Sequence, residues 1–138
     1  MTKYRELCLE ACDDTLHVVL HELEEYLNTV SCSNDCKMEL LIATEEIFIN
    51  IAHYAYGGEI GKAYIKIEIK DNPKSICITF KDQGTPYNPL EKEDPDITLS
   101  AEERAIGGLG IYMVKQSMDH VEYDYQDGYN ILRIEKFF

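Results

Sequence analysis

LLIATEEIFINIAHYAY, residues 40–56, is the stretch on which the reading of this chain turns. It is long enough for a central helix and apolar almost all the way round, the pattern of a helix buried on every side. Set into it are Glu46, Asn50 and His53, spaced i, i+4 and i+7. At 3.6 residues per turn these fall within an arc of about 60°, which makes one narrow polar line on one face. A carboxylate and an amide placed there are costly unless something pairs with them. Either other parts of the chain satisfy the line or a ligand does.

Upstream, residues 4–11 read as a short strand. Asp13 or Asp14 is placed to cap the helix that follows, whose apolar stripe is Leu16, Val19, Leu20, Leu23, Leu27 and Val30. His17 and His21 share a face of it without a nearby metal-ligand pattern and read as ordinary, partly exposed histidines. Ser31-Cys32-Ser33-Asn34 breaks the chain, Asn34 or Asp35 is the expected cap of the central helix, and Gly57-Gly58 ends it.

Downstream, Lys62–Lys70 alternates: Ala63, Ile65, Ile67 and Ile69 share one face, and Tyr64, Lys66, Glu68 and Lys70 the other. That is a strand with one face buried. Asp71-Asn72-Pro73 turns it into a second strand, Ser75–Asp82, with Ile76, Ile78 and Phe80 inward. Asp82 shares their parity, an unusual place for a residue rarely buried unpaired. Residues 84–100, with Pro86, Pro89 and Pro95, are expected to be irregular surface. Gly107-Gly108-Leu109-Gly110 then opens a helix, and residues 120–138 read as two strands around Asp127-Gly128. Strands joined mostly by hairpins, with helices gathered together, predict an α+β two-layer sandwich, a single domain over residues 1–138.

The chain has 138 residues, 45% of them apolar, and a formal charge of −13. That charge argues against a binder of duplex DNA or of an anionic membrane, both of which need a basic face. It also means that a polyphosphate ligand must bring a cation or find local donors. No run approaches the ~20 apolar residues of a membrane span, and MTKYRELCLE lacks a signal-peptide core, so a cytoplasmic location is expected. The five cysteines (Cys8, Cys12, Cys32, Cys36 and Cys77) are an odd number without export signals and are expected as reduced thiols. Cys8/Cys12 and Cys32/Cys36 have zinc-ligand spacing, but there is no Cys-x-x-Cys knuckle.

A glycine turn at a helix start presents free N–H groups and the positive end of the helix dipole, which suits phosphate. Its spacing here is neither GxGxxG nor GxxxxGK[ST]. Taken together, the segments ATEEIFINIAHYAYGG, FKDQGTPYNP and ERAIGGLGIYMVKQSMDHVEY resemble, in order, the N box and the two glycine boxes of the GHKL (Bergerat-fold) ATP-binding superfamily. That superfamily is shared by histidine kinases, type II topoisomerases and mismatch-repair ATPases. The nearest likeness within it is to the bacterial anti-sigma-factor serine/threonine kinases. The resemblance covers essentially the whole chain and implies a mixed, mostly antiparallel sheet with helices on one face.

Carried over residue by residue, the resemblance makes Asn50 the ligand of the Mg²⁺ that bridges the phosphates, a role an amide oxygen suits. Glu46 resembles the general base that takes the proton of an attacking hydroxyl. Asp82 resembles the acceptor of the adenine amino group, and Gly84 lets the backbone approach the base. Gly107, Gly108, Leu109 and Gly110 would offer N–H groups to the phosphates, and Arg104 is either a contact of the terminal phosphate or a solvated lid charge. Glu45 points about 100° away from Glu46 and reads as structural. The first glycine box is DQGTP, with Pro86 where glycine is commoner, and Asn130 and Ile131 occupy the region where a threonine often joins the adenine Asp. The implied activity is transfer of the γ-phosphoryl of Mg·ATP to a serine or threonine of a small anti-sigma-factor antagonist, with sequestration of a sigma factor and dimerisation. The alternative is a non-catalytic partner-switching module in which ATP only orders the lid, residues 86–105.

Overall fold

The computed structural model describes residues 3–91 and 109–138. Arg104, Gly107 and Gly108 lie outside them. The elements are β1 (Lys3–Glu10), α1 (Leu16–Leu27), α2 (Asn34–Asn50), β2 (Lys62–Lys70), β3 (Ser75–Asp82), α3 (Leu109–Ser117), β4 (His120–Gln126) and β5 (Tyr129–Phe137). They form a two-layer α+β arrangement around one five-stranded sheet of order β1-β2-β3-β5-β4. Every neighbouring pair is antiparallel. β3 and β4 run the same way, but β5 inserts between them and pairs antiparallel with both, so the sheet is antiparallel throughout and has no parallel pair among the described strands.

The alternation in β2 is realised in full: Ala63, Ile65, Ile67 and Ile69 are buried. They join Ile76, Ile78 and Phe80 of β3 and Ile134 of β5 in one core cluster with all three helices. Each such isoleucine contributes about 1.5–3 kcal/mol by leaving water, so the inner face is where the sheet is held. Cys77, of opposite parity in β3, is buried but stands outside that cluster, which puts the helices on one face. β4 and β5 turn over Asp127 and Gly128, both at positive φ (55° and 84°), the pairing that a tight two-residue hairpin demands.

The central helix departs from the expectation of burial on every side. α2 is flanked by α1 and α3 and buries Leu40, Ala43, Thr44, Ile47 and Phe48. Met38, Ile42 and Glu45, one turn apart along its outer side, are exposed. In a two-layer sandwich a helix has a sheet below and neighbours at its sides, and nothing above it. Its cap also differs: Ser33, and neither Asn34 nor Asp35, is the N-cap, its hydroxyl accepting from the Cys36 amide at 3.1 Å. Asp13 and Asp14 do not cap α1 either, since a 3₁₀ turn over Asp13–Thr15 precedes it. There the Thr15 hydroxyl donates to the carbonyls of Glu10 and Cys12 (2.6 and 2.9 Å). Among the described residues no helix is long and apolar enough to cross a membrane.

Replacing Ser33 by alanine is expected to lower stability by about 1 kcal/mol, the usual worth of an N-cap. Asn34→Ala should stay within about 0.5 kcal/mol, as for an ordinary surface change. Urea unfolding of the two variants checks the order.

Candidate functional site

β3 delivers Asp82 to the end of the sheet with its residue surface only 6% exposed. Its Oδ1 accepts from the Gly84 amide at 2.9 Å and from Asn130 Nδ2 at 3.0 Å. Asn130 stands opposite Asp82 in the β3–β5 register. Its Nδ2 also donates to the Thr85 carbonyl at 3.0 Å, and its Oδ1 accepts from the Tyr87 amide at 3.1 Å and from the Tyr123 hydroxyl. Burial pushes the Tyr123 phenol upward, which keeps it a donor. The buried aspartate foreseen from strand parity is therefore real, and it is paired. Asn130 is the functional candidate that sequence reasoning passed over. The signal was there, because it shares the inward parity of Leu132 and Ile134.

The same corner of the sheet meets the end of the central helix. Beyond Asn50 the helix widens into one π turn, Ile51–Ala55, before Gly57 and Gly58 take it out through positive φ (60° and 92°). The Thr85 amide donates to the Ala55 carbonyl at 2.9 Å. A Cβ on Gly84 would overlap that same carbonyl, so glycine is required here for close approach. The Tyr56 hydroxyl accepts from the Gln83 amide at 2.9 Å and donates to the Lys62 carbonyl. His53 leaves the expected polar line: its Nε2 lies 2.7 Å from Asp13 Oδ1. The wider π turn breaks the 100° step on which the three-residue line rested.

One turn before the end of α2, Glu46 faces the start of α3. A Cβ on Gly110 would overlap the Glu46 carboxylate. A cleft of about 100 Å³ between the two helices is walled by both residues together with Glu39, Ile42, Ala43, Met113, Val114 and Ser117. Asp82 and Asn50 are not among its walls. Glu46 and Asn50 are half-buried, one turn apart, and among the described residues neither side chain has a hydrogen-bond or ionic partner. Glu45 is exposed. The structure thus brings Glu46 to Gly110, Asp82 to Gly84, and the latter pair to the π turn that follows α2. Leu109 begins α3.

An antiparallel sheet with helices on one face, a buried Asp at a strand end and a glycine-opened helix against a central acidic helix define a Bergerat-type sandwich. Part of the solved chain that carries the RsbU and RsbW domains of Rv1364c from Mycobacterium tuberculosis shares this architecture, with a TM-score of 0.69 at 12% identity, over 98% of this chain and 32% of that one. Residues 9–136 match the family model described as histidine kinase-like ATPase domain, and the chain belongs to that family. Among curated proteins it is similar to the serine-protein kinase RsbW of Bacillus thuringiensis (strain Al Hakam). The two are 24% identical over 107 residues, 76% of this chain and 67% of that protein. It is also similar to the serine/threonine-protein kinase BtrW of Bordetella bronchiseptica, at 22% identity over 98 residues, 71% of this chain and 68% of that one.

The two glycines respond differently to alanine. At Gly84 the obstacle is backbone, so Gly84→Ala is expected to cost about 1–3 kcal/mol of stability. At Gly110 it is the free end of a flexible side chain, so Gly110→Ala should cost less and displace Glu46. Denaturant titration of both variants measures the difference.

Proposed function

We propose that the protein is an Mg·ATP-dependent serine/threonine kinase that phosphorylates a small anti-sigma-factor antagonist and sequesters a sigma factor in the bacterial cytoplasm. The observation that carries this reading is the unpartnered, half-buried pair Glu46 and Asn50 on α2. From Glu46 to Ala55 the helix runs about 13 Å, with the start of α3 at one end and the Asp82 corner at the other. That is the length scale of a nucleoside triphosphate laid along the helix. The kinase names of RsbW and BtrW support the same reading.

In this arrangement Asp82 accepts from the adenine amino group and Gly84 forms part of the base wall. Gly107, Gly108, Leu109 and Gly110 offer backbone N–H groups to the phosphates, with Arg104 on the terminal one. The Asn50 amide oxygen is a hard, neutral donor without a partner among the described residues, which fits a magnesium site. A bound Mg²⁺ would supply charge neutralisation between the phosphates. Glu46 takes the proton from the acceptor hydroxyl as its oxygen bonds to the γ-phosphorus and the bond to the β-phosphate oxygen breaks, releasing ADP. The rest of the catalysis is positioning. A net charge of −13 complements a partner with a basic surface.

Incubation with γ-labelled ATP and a cell extract tests the activity. Label should move to a small protein, and Glu46→Gln should cut transfer by about 10²–10⁴-fold while leaving nucleotide affinity intact. Intact Mg·ATP binding with no transfer by the unaltered protein would identify the non-catalytic partner-switching module instead. In a binding titration, ATP and ADP should be favoured over GTP, and removing Mg²⁺ should weaken ATP more than ADP.

A further inference from the structure

Cys32 and Cys36 meet at the start of α2, with Cys36 about 15 Å along the helix from Glu46. Ser33 stands between them as the N-cap, in extended backbone (φ −67°, ψ 161°), its hydroxyl accepting from the Cys36 amide at 3.1 Å. Such a cap turns the chain so that the residue before it lies beside the first helical turn. Both side chains pack on the same core, Cys36 buried and Cys32 half-buried, and the two thiols hydrogen-bond to each other. The Lys136 ammonium acts on Cys36 from β5, where its Nζ holds Glu39 Oε2 at 2.7 Å and the Ser117 carbonyl at 2.7 Å. Among the described residues no group of three His, Cys, Asp or Glu side chains is placed to hold a metal ion, so the zinc-like spacing finds no third ligand there. Two touching thiols have another chemistry open to them, which is thiol–disulfide exchange.

We infer that Cys32 and Cys36 are a reversible oxidation site, a dithiol that a low-molecular-weight disulfide such as oxidised glutathione converts to an intrachain bridge across the cap of α2. Cys32, the more open of the two, meets the oxidant first. Its sulfur bonds to one sulfur of the small disulfide, whose S–S bond breaks, and one small thiol leaves carrying the Cys32 proton. Cys36 then attacks the Cys32 sulfur of the mixed disulfide, its proton passes to the second small thiol as that departs, and the bridge closes. Two protein thiols are oxidised and one small disulfide is reduced to two thiols. The surroundings of Cys36 suit the second step and not the first. Burial, then the charge and the hydrogen bond of Cys32, push the Cys36 thiol up to about 11, which keeps it protonated while Cys32 is free. Capping Cys32 removes both of that residue's contributions and leaves the Lys136 ammonium to favour the attacking form. The sulfurs are already within hydrogen-bond reach, so closure does not wait on unfolding. The bridge fastens the connection from α1 to the first turn of α2 and uses none of the residues of the nucleotide reading, so it stands or falls apart from that reading.

The test is to hold the full chain in buffers of oxidised and reduced glutathione, block the remaining free thiols with iodoacetamide, and cleave after glutamate. That cleavage puts Cys8, Cys12 and the Cys32/Cys36 pair on three separate peptides. Residues 26–39 should lose two hydrogens and gain no glutathione, dithiothreitol should restore them, and exposed Cys8 should carry a glutathione adduct. Cys36→Ala should trap glutathione on Cys32, and Cys32→Ser should slow the oxidation of Cys36 at least about tenfold. A pair that stays reduced while Cys8 is modified, or that carries two separate glutathiones, overturns the inference and leaves two thiols that only pack the core. An unmodified Cys32 in the Cys36→Ala variant overturns it as well. The peptide from the unaltered protein reads the bridge directly, so the inference remains open to refutation even if a variant fails to fold.

Discussion

The carbonyl of Ala55 accepts the Thr85 amide at 2.9 Å, and on that contact the geometry of the candidate site depends. It joins the last turn of the central helix to the exit of β3 with no side chain between them. Two backbones can approach so closely only because residue 84 is glycine. The helix carries Glu46 and Asn50, and the strand carries Asp82; the join decides how far apart they are. The Tyr56 hydroxyl, bridging the Lys62 carbonyl and the Gln83 amide, braces the same corner from the β2 side. A helix resting on a sheet through side chains alone can slide by fractions of an ångström, whereas one hydrogen-bonded to it cannot.

Much of this was legible in the chain. Period-two alternation placed β2 and β3 and put Asp82 inward, and Asp127-Gly128 placed the second hairpin. These are local signals, and local signals survive folding. What was not legible depended on distant partners. Whether Ser33, Asn34 or Asp35 caps α2 turns on the backbone at one residue, and all three types suit the role. The outward face of α2, apolar at Met38 and Ile42, reads as core until the two-layer packing is known. The π turn has no sequence signature of its own, so His53 was assigned to a line it does not join. Asn130 shows its inward parity in the chain, but its register opposite Asp82 can be read only from the folded sheet.

The electrostatic setting is unusual for a protein that handles a polyanion. Against a formal charge of −13, any phosphate site must be built from backbone dipoles, a metal ion and few cations. The apposition of Glu46 and Gly110 sharpens the point, since a carboxylate sits against the first turn of α3, the helix proposed to face the phosphates. A negative group at a helix N-terminus is favourable by itself. Glu46 and a terminal phosphate would share that positive end, and a counter-ion between them resolves the conflict.

The strand order β1-β2-β3-β5-β4 carries one more consequence. β5 is the inner neighbour of β3, yet Asn130 emerges from the ribosome 48 residues after Asp82. Throughout that interval the flank of β3 that will hold Asp82 in place is an open edge. Such long-range pairing is slow to form and leaves an unpaired strand exposed. During synthesis the Asp82 corner is thus among the last regions to acquire its native geometry, which waits on the docking of the β4–β5 hairpin.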